Sequence, residues 1–152
     1  MSDPVKWEYG LLNRGPVNTH PKTEQPCILI VDDDPLELRS LGTGLRLEGF
    51  QVLEASSAES ALDALSTKKS CLAIVDLMMP GMNGINLTRE IRKLHPETEV
   101  ILTSAYHISE KLLDRARVDI LSFLPKPFRI DDLIQFIHEK LGILAQGKAY
   151  SV

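Results

Sequence analysis

From residue 27 onward the chain alternates short apolar runs with longer amphipathic stretches, and this alternation most limits what it can fold into. Cys27, Ile28, Leu29, Ile30 and Val31 form the first run. It has no polar face, so a strand built from it must be covered on both sides. Strand-like segments follow at 50–55, 71–75, 100–104 and 120–124, each separated from the next by enough chain for a helix. Five such units predict an α/β domain with a parallel sheet, because parallel neighbours need a crossover connection and a helix is the usual one.

The intervening stretches carry helix signals. Pro35 suits a first helical position, and Leu36, Leu38, Leu41, Leu45 and Leu47 recur at roughly helical spacing until Gly49 supplies a stop. Ser56 and Glu59 form an S-x-x-E pattern that predicts a capping box for a second helix running to about Lys68. A third helix is expected to start near Ile85 and to end before Pro96. A weaker fourth lies within 109–117, around Leu112 and Leu113. The fifth should start near Asp131, turn Leu133, Ile134, Ile137 and Leu141 inward, and end at Gly142.

A chain of 152 residues accommodates one such domain plus tails. We assign 1–26 to an irregular N-terminal extension, 27–141 to the domain and 142–152 to a C-terminal tail. The extension holds Pro4, Pro16, Pro21 and Pro26, and a small apolar group of Trp7, Tyr9, Leu11 and Leu12 whose role is open. A net charge of -4 with scattered lysines and arginines argues against direct nucleic-acid contact. No apolar run approaches the roughly 20 residues of a membrane span, and the N-terminus lacks a signal-peptide core, which predicts a cytoplasmic protein without membrane insertion. Cys27 and Cys71 have no metal-ligand spacing. They read as reduced core thiols, close together on neighbouring strands but not bonded.

In an open α/β sheet, ligands bind beyond the C-terminal ends of the strands. Asp32 and Asp33 follow the first strand, Asp76 follows the third, Ser104 ends the fourth and Lys126 follows the fifth. Any one of these acids alone would read as a helix cap or a solvated loop residue. Together they form a pocket in which carboxylates a few ångströms apart repel by roughly 4 kcal/mol per pair. A hard divalent cation relieves that repulsion. One or two carboxylates, waters and a phosphoryl oxygen suit Mg²⁺, with Mn²⁺ as a substitute, better than an all-protein Ca²⁺ cage. A lysine then serves as a point charge for a phosphoryl oxygen, and a serine hydroxyl as a further donor.

The ordered set Asp32-Asp33, Asp76-Leu-Met-Met-Pro-Gly-Met-Asn-Gly84, Thr103-Ser104-Ala105 and Lys126-Pro127-Phe128 resembles the receiver domains of bacterial response regulators. The likeness runs over 27–141. It implies a doubly wound, flavodoxin-like (βα)5 fold with strand order 2-1-3-4-5. It implies that Asp76 takes a phosphoryl group from the phosphohistidine of a histidine kinase or a histidine phosphotransfer protein. Mg²⁺ would be held by Asp33, Asp76 and the backbone carbonyl of Met78, with Asp32 assisting mainly through bound water. Lys126 would neutralise phosphoryl charge, and a cis Lys126-Pro127 bond would fit. Ser104 and Phe123 fall at the switch positions. They would pass the change to a helix 4–strand 5–helix 5 face that contacts an unnamed downstream protein or a second copy of the chain. Such a module is a signalling receiver, not an enzyme, although it assists its own phosphorylation and dephosphorylation.

The sequence departs from the family pattern in places. Phe123 has no hydroxyl, Asn83 stands where aspartate is common, and Asp119-Ile120 stands where Gly-Ala is frequent. Met78 and Tyr106 would flank the route of water to the phosphate, and their bulk points to a long-lived phosphoryl state. Two other strand-end chemistries fit less well. A haloacid-dehalogenase-like phosphatase wants an acid where Met78 stands, and an FMN binder would meet the charge of Asp32, Asp33 and Asp34. The remaining alternative is a non-phosphorylated receiver-like interaction module, which would typically have lost acceptor, acids or lysine. No output domain fits after Leu141, so a stand-alone relay or contact role is expected, unless the chain is a piece of a longer regulator.

Overall fold

The structure is a computed structural model, and it describes residues 25–142. The apolar group at Trp7, Tyr9, Leu11 and Leu12 and the tail from 143 lie outside the described residues. The order of elements is β1 (Cys27–Val31), α1 (Pro35–Leu47), β2 (Gln51–Ala55), α2 (Ala58–Thr67), β3 (Leu72–Asp76), α3 (Gly84–Leu94), β4 (Glu99–Ser104), α4 (Glu110–Ala116), β5 (Ser122–Pro125) and α5 (Ile130–Leu141). The strands form one parallel sheet in the order β2-β1-β3-β4-β5. The alternation predicts the parallel α/β sheet, and the order is the flavodoxin-like one that the receiver resemblance implies.

Side chains alternate across a strand, so each unbroken apolar run feeds two cores. Leu29 and Val31 join α2 and α3 residues such as Ala61, Leu65, Leu87 and Ile91 on one face. Ile28 and Ile30 join Leu38 and Leu45 of α1 and Leu133 and Ile137 of α5 on the other. Each such side chain withdrawn from water contributes roughly 1.5–3 kcal/mol, which is why β1 and β3 carry no exposed residue. The edge strands β2 and β5 are only partly buried, and their sequences are correspondingly mixed.

The structure corrects several local readings. At about 100° per residue, Leu38, Leu41 and Leu45 share one side of α1 while Leu36 and Leu47 fall on the opposite side. Leu36 is accordingly 70% exposed and Leu47 80%. The cap of α2 is Ser57, one residue later than expected. Its hydroxyl accepts from the Ser60 amide at 3.1 Å, and the Ser60 hydroxyl accepts from the Ser57 amide at 3.1 Å, so Ser60 takes the place assigned to Glu59. β5 starts at Ser122 instead of 120. Cys27 is buried but Cys71 is only partly so. Both are free thiols, and the Cys71 thiol donates to the Cys27 carbonyl at 3.3 Å. Burial pushes the Cys71 thiol above its ordinary pKa.

The fourth helix is short and has no buried residue. Its N-cap is Ser109, and at its other end Arg89 of α3 donates to the Ala116 carbonyl at 2.6 Å. No helix among the described residues is long and apolar enough to cross a membrane.

Candidate functional site

Parallel pairing sets the C-terminal ends of the strands side by side. Asp76 lies opposite Thr103, and Ser104 opposite Pro125. Asp32 leaves β1 tied to β2, because its amide donates to the Ala55 carbonyl at 3.1 Å. Its two carboxylate oxygens are both engaged. One accepts from the Asp34 amide at 2.9 Å and the other from Lys126 Nζ at 2.8 Å. Asp34 in turn caps α1, accepting from the Leu36 amide at 2.9 Å.

Asp76 ends β3 and is only 8% exposed. The chain beyond it is held on both sides. The Leu77 amide donates to the Thr103 carbonyl at 2.8 Å, and the Gly84 amide donates to the Leu77 carbonyl at 2.9 Å. Asn83 caps α3 by accepting from the Asn86 amide at 2.9 Å, a role asparagine fills as well as aspartate. Gly84 explains itself by close approach, since a Cβ there would lie 2.6 Å from the Asp76 carbonyl oxygen and 2.8 Å from the Leu77 Cα.

Lys126 follows β5, its amide donating to the Ser104 carbonyl at 2.9 Å, and its bond to Pro127 is cis. Its ammonium donates to Asp32 at 2.8 Å and to Glu37 of α1 at 2.6 Å, and stands 3.9 Å from Asp76 Oδ1. Burial works against the Lys126 charge, but these acidic partners outweigh it and hold its pKa above the ordinary value. The Asp76 pKa also rises, which for a carboxyl disfavours the charged form. Burial raises its pKa to about 6, Lys126 opposes the shift, and Asp32 and Asp33 add to it.

Asp32, Asp33 and Asp76 each offer a carboxylate oxygen, and these atoms lie within 4.8 Å of one another. Lys126 is the one cation that pairs with this group among the described residues, and Glu37 draws on it as well. An all-oxygen donor set with excess negative charge fits a hard divalent cation such as Mg²⁺. Beside it an open cleft of about 810 Å³ runs between α1 and the chain after β5, lined in part by Asp32, Glu37, Lys126, Leu41, Phe128 and Ile130.

The other residues singled out from sequence sit around this centre. Ser104 is 1% exposed, and its hydroxyl accepts from the Tyr106 amide at 3.0 Å. Phe123 pairs with Leu102, two residues back from Ser104, and packs half-buried on the face of the sheet that carries Leu113 of α4. The Met78 amide approaches Asp76 Oδ1 at 3.4 Å, while its side chain and Tyr106 are largely exposed. Sequence reasoning missed Glu37 and the reason for Gly84. An acid in the first turn of the helix after Asp32 was the available signal for Glu37.

A model of the response regulator receiver domain matches residues 28–138. The chain belongs to this family. It resembles the Escherichia coli K12 transcriptional regulatory protein GlrR, at 38% identity over 114 residues, which is 75% of this chain and 26% of that protein. It also resembles the DNA-binding transcriptional regulator NtrC of Klebsiella pneumoniae, at 34% identity over 74% of this chain and 24% of the relative. The receiver chain thus spans about a quarter of the length of these curated relatives. Among solved structures, a CheY-like receiver domain protein from Methanospirillum hungatei JF-1 superposes with a TM-score of 0.73 at 31% identity, covering 78% of this chain and 95% of that one. The response regulator TrrA of Thermotoga maritima, solved in complex with Mg²⁺ and BeF, gives a TM-score of 0.67 at 31% identity, covering 76% of this chain and 98% of that one. The acidic cluster of this receiver is consistent with a Mg²⁺ site of the same kind.

Proposed function

We propose that this receiver accepts a phosphoryl group on Asp76 from a phosphohistidine donor, a histidine kinase or a histidine phosphotransfer protein, in a cytoplasmic two-component or phosphorelay pathway. The observation that carries this reading is the position of Asp76, a nearly buried carboxylate flanked by Asp32 and Asp33 and faced by the Lys126 ammonium 3.9 Å away. A carboxyl with a pKa of about 6 is mostly ionised at neutral pH and therefore able to attack.

In the transfer a carboxylate oxygen of Asp76 forms the new O–P bond as the N–P bond to the donor imidazole breaks, and the imidazole leaves with the electron pair. Lys126 takes charge on an equatorial phosphoryl oxygen, and Ser104 donates its hydroxyl to another once released from the Tyr106 amide. Asp33, Asp76 and the Met78 backbone carbonyl would hold Mg²⁺, or Mn²⁺ in its place, with Asp32 acting mainly through water. Bound there, the ion would neutralise phosphoryl charge. Movement of Ser104 opens room for Phe123 to turn inward, which alters the face made by α4, β5 and α5. That face is the proposed contact for a downstream protein or a second copy of the chain, and the exposed Leu112 on α4 is available to it.

Nuclear magnetic resonance of the amides tests the reading. Mg²⁺ with beryllofluoride should shift the signals of residues 103–106 and 123 in the native protein and leave them in place in Asp76→Asn. An Asp76 still unmodified after incubation with acetyl phosphate and with a competent kinase would refute it.

A further inference from the structure

Glu37 has no part in the chemistry above, yet it makes the shortest contact to Lys126, at 2.6 Å. An ammonium has three donors. Two are committed, to Asp32 and to Glu37, and Asp76 at 3.9 Å lies beyond hydrogen-bonding distance. The Glu37 backbone is fixed in the first turn of α1, behind Pro35 and the Asp34 cap, so its reach to Lys126 is built into the helix start. The two acids differ in exposure. The Asp32 side chain is 8% exposed and the Glu37 side chain 47%, so Glu37 is the partner that water can replace.

We infer that Glu37 is a positioning residue: it holds the Lys126 ammonium on the α1 side of the pocket, off Asp76, until a phosphoryl group arrives to take its place. The inference rests on the receiver reading. It has two consequences of opposite sign. While Glu37 holds Lys126, the lysine competes less for Asp76, which leaves that carboxylate freer for a divalent cation. Once an anion sits on Asp76, Lys126 must leave Glu37 to reach it, and the phosphoryl state is weakened by that exchange.

Glu37→Ala, on an exposed helical position, should therefore weaken Mg²⁺ binding about two- to fivefold by calorimetric titration. At saturating Mg²⁺ the same variant should bind beryllofluoride about two- to fivefold more tightly. In the Lys126→Met background the loss of Mg²⁺ affinity should vanish, because no lysine remains to be redirected. Glu37→Ala matching the native protein in both titrations would overturn the inference. So would a Mg²⁺ effect that persists without Lys126, since Glu37 would then be acting as a free charge. A native protein that responds to neither Mg²⁺ nor beryllofluoride would instead remove the receiver reading beneath it.

Discussion

Replacing Asp76 by asparagine should stabilise the metal-free protein. Burial lifts the Asp76 pKa from an ordinary 3.8 to about 6, so the folded state holds that proton more tightly than the unfolded chain does. Stability from this group is therefore fully present below about pH 4 and is lost as pH rises through 6. A shift of about two units amounts to about 3 kcal/mol of penalty at pH 7.5, and about half of that at pH 5. Asparagine is nearly the same shape and carries no charge. Lys126 is not left alone by the change, because Asp32 and Glu37 still accept from it. Asp76→Asn should thus gain about 2–3 kcal/mol in urea unfolding at pH 7.5 in EDTA, or roughly 5–10 °C in melting temperature. At pH 5 the gain should fall to about half. Added Mg²⁺ should raise the native protein toward the variant and leave the variant nearly unchanged, since a ligand stabilises only the form that binds it. A variant no more stable than the native protein at pH 7.5, or a gain independent of pH, would refute the reasoning.

Three further substitutions probe the frame of the domain. Gly84→Ala places a methyl 2.6 Å from the Asp76 carbonyl and should cost about 1–3 kcal/mol in urea unfolding while slowing phosphorylation by acetyl phosphate. Ser57→Ala should cost about 1 kcal/mol through loss of the α2 cap, and Ser56→Ala much less; a larger loss for Ser56→Ala in thermal melts would return the cap to Ser56.

The gathering of the acids and Lys126 was legible because the βα alternation fixes where strand ends go. The Asp32-Asp33 pair, Asp76 and Lys126 are distant from one another in sequence, and a parallel sheet brings their strand ends to one edge. What stayed hidden depended on angles between elements. Five leucines along α1 suggest one stripe, and only the sheet behind it selects Leu38, Leu41 and Leu45 over Leu36 and Leu47. Glu37 becomes part of the site only because α1 starts beside the chain that follows β5. Gly84 has a reason only once α3 is seen to begin against the Asp76 carbonyl. Neighbouring serines at 56 and 57 offer the same cap chemistry, and a shift of one residue in the helix start decides between them. Edge strand β5 mixes Ser122 and Pro125 with apolar residues, so its bounds carried a weaker signal than β1.

The shallow seating of α4 sets a scale for any message leaving the pocket. An element with no buried residue gives up little packing when it moves, so an alternative placement would cost little. A bias of about 1–3 kcal/mol, the usual size of coupling between distant sites, is then enough to populate it. The opposite edge of the sheet has no such latitude, because α1 and α2 bury Leu45, Ala61 and Leu65 against the central strands. The least deeply packed helix thus lies on the face of the sheet that carries Phe123, while α5 is anchored by Leu133, Ile134 and Ile137.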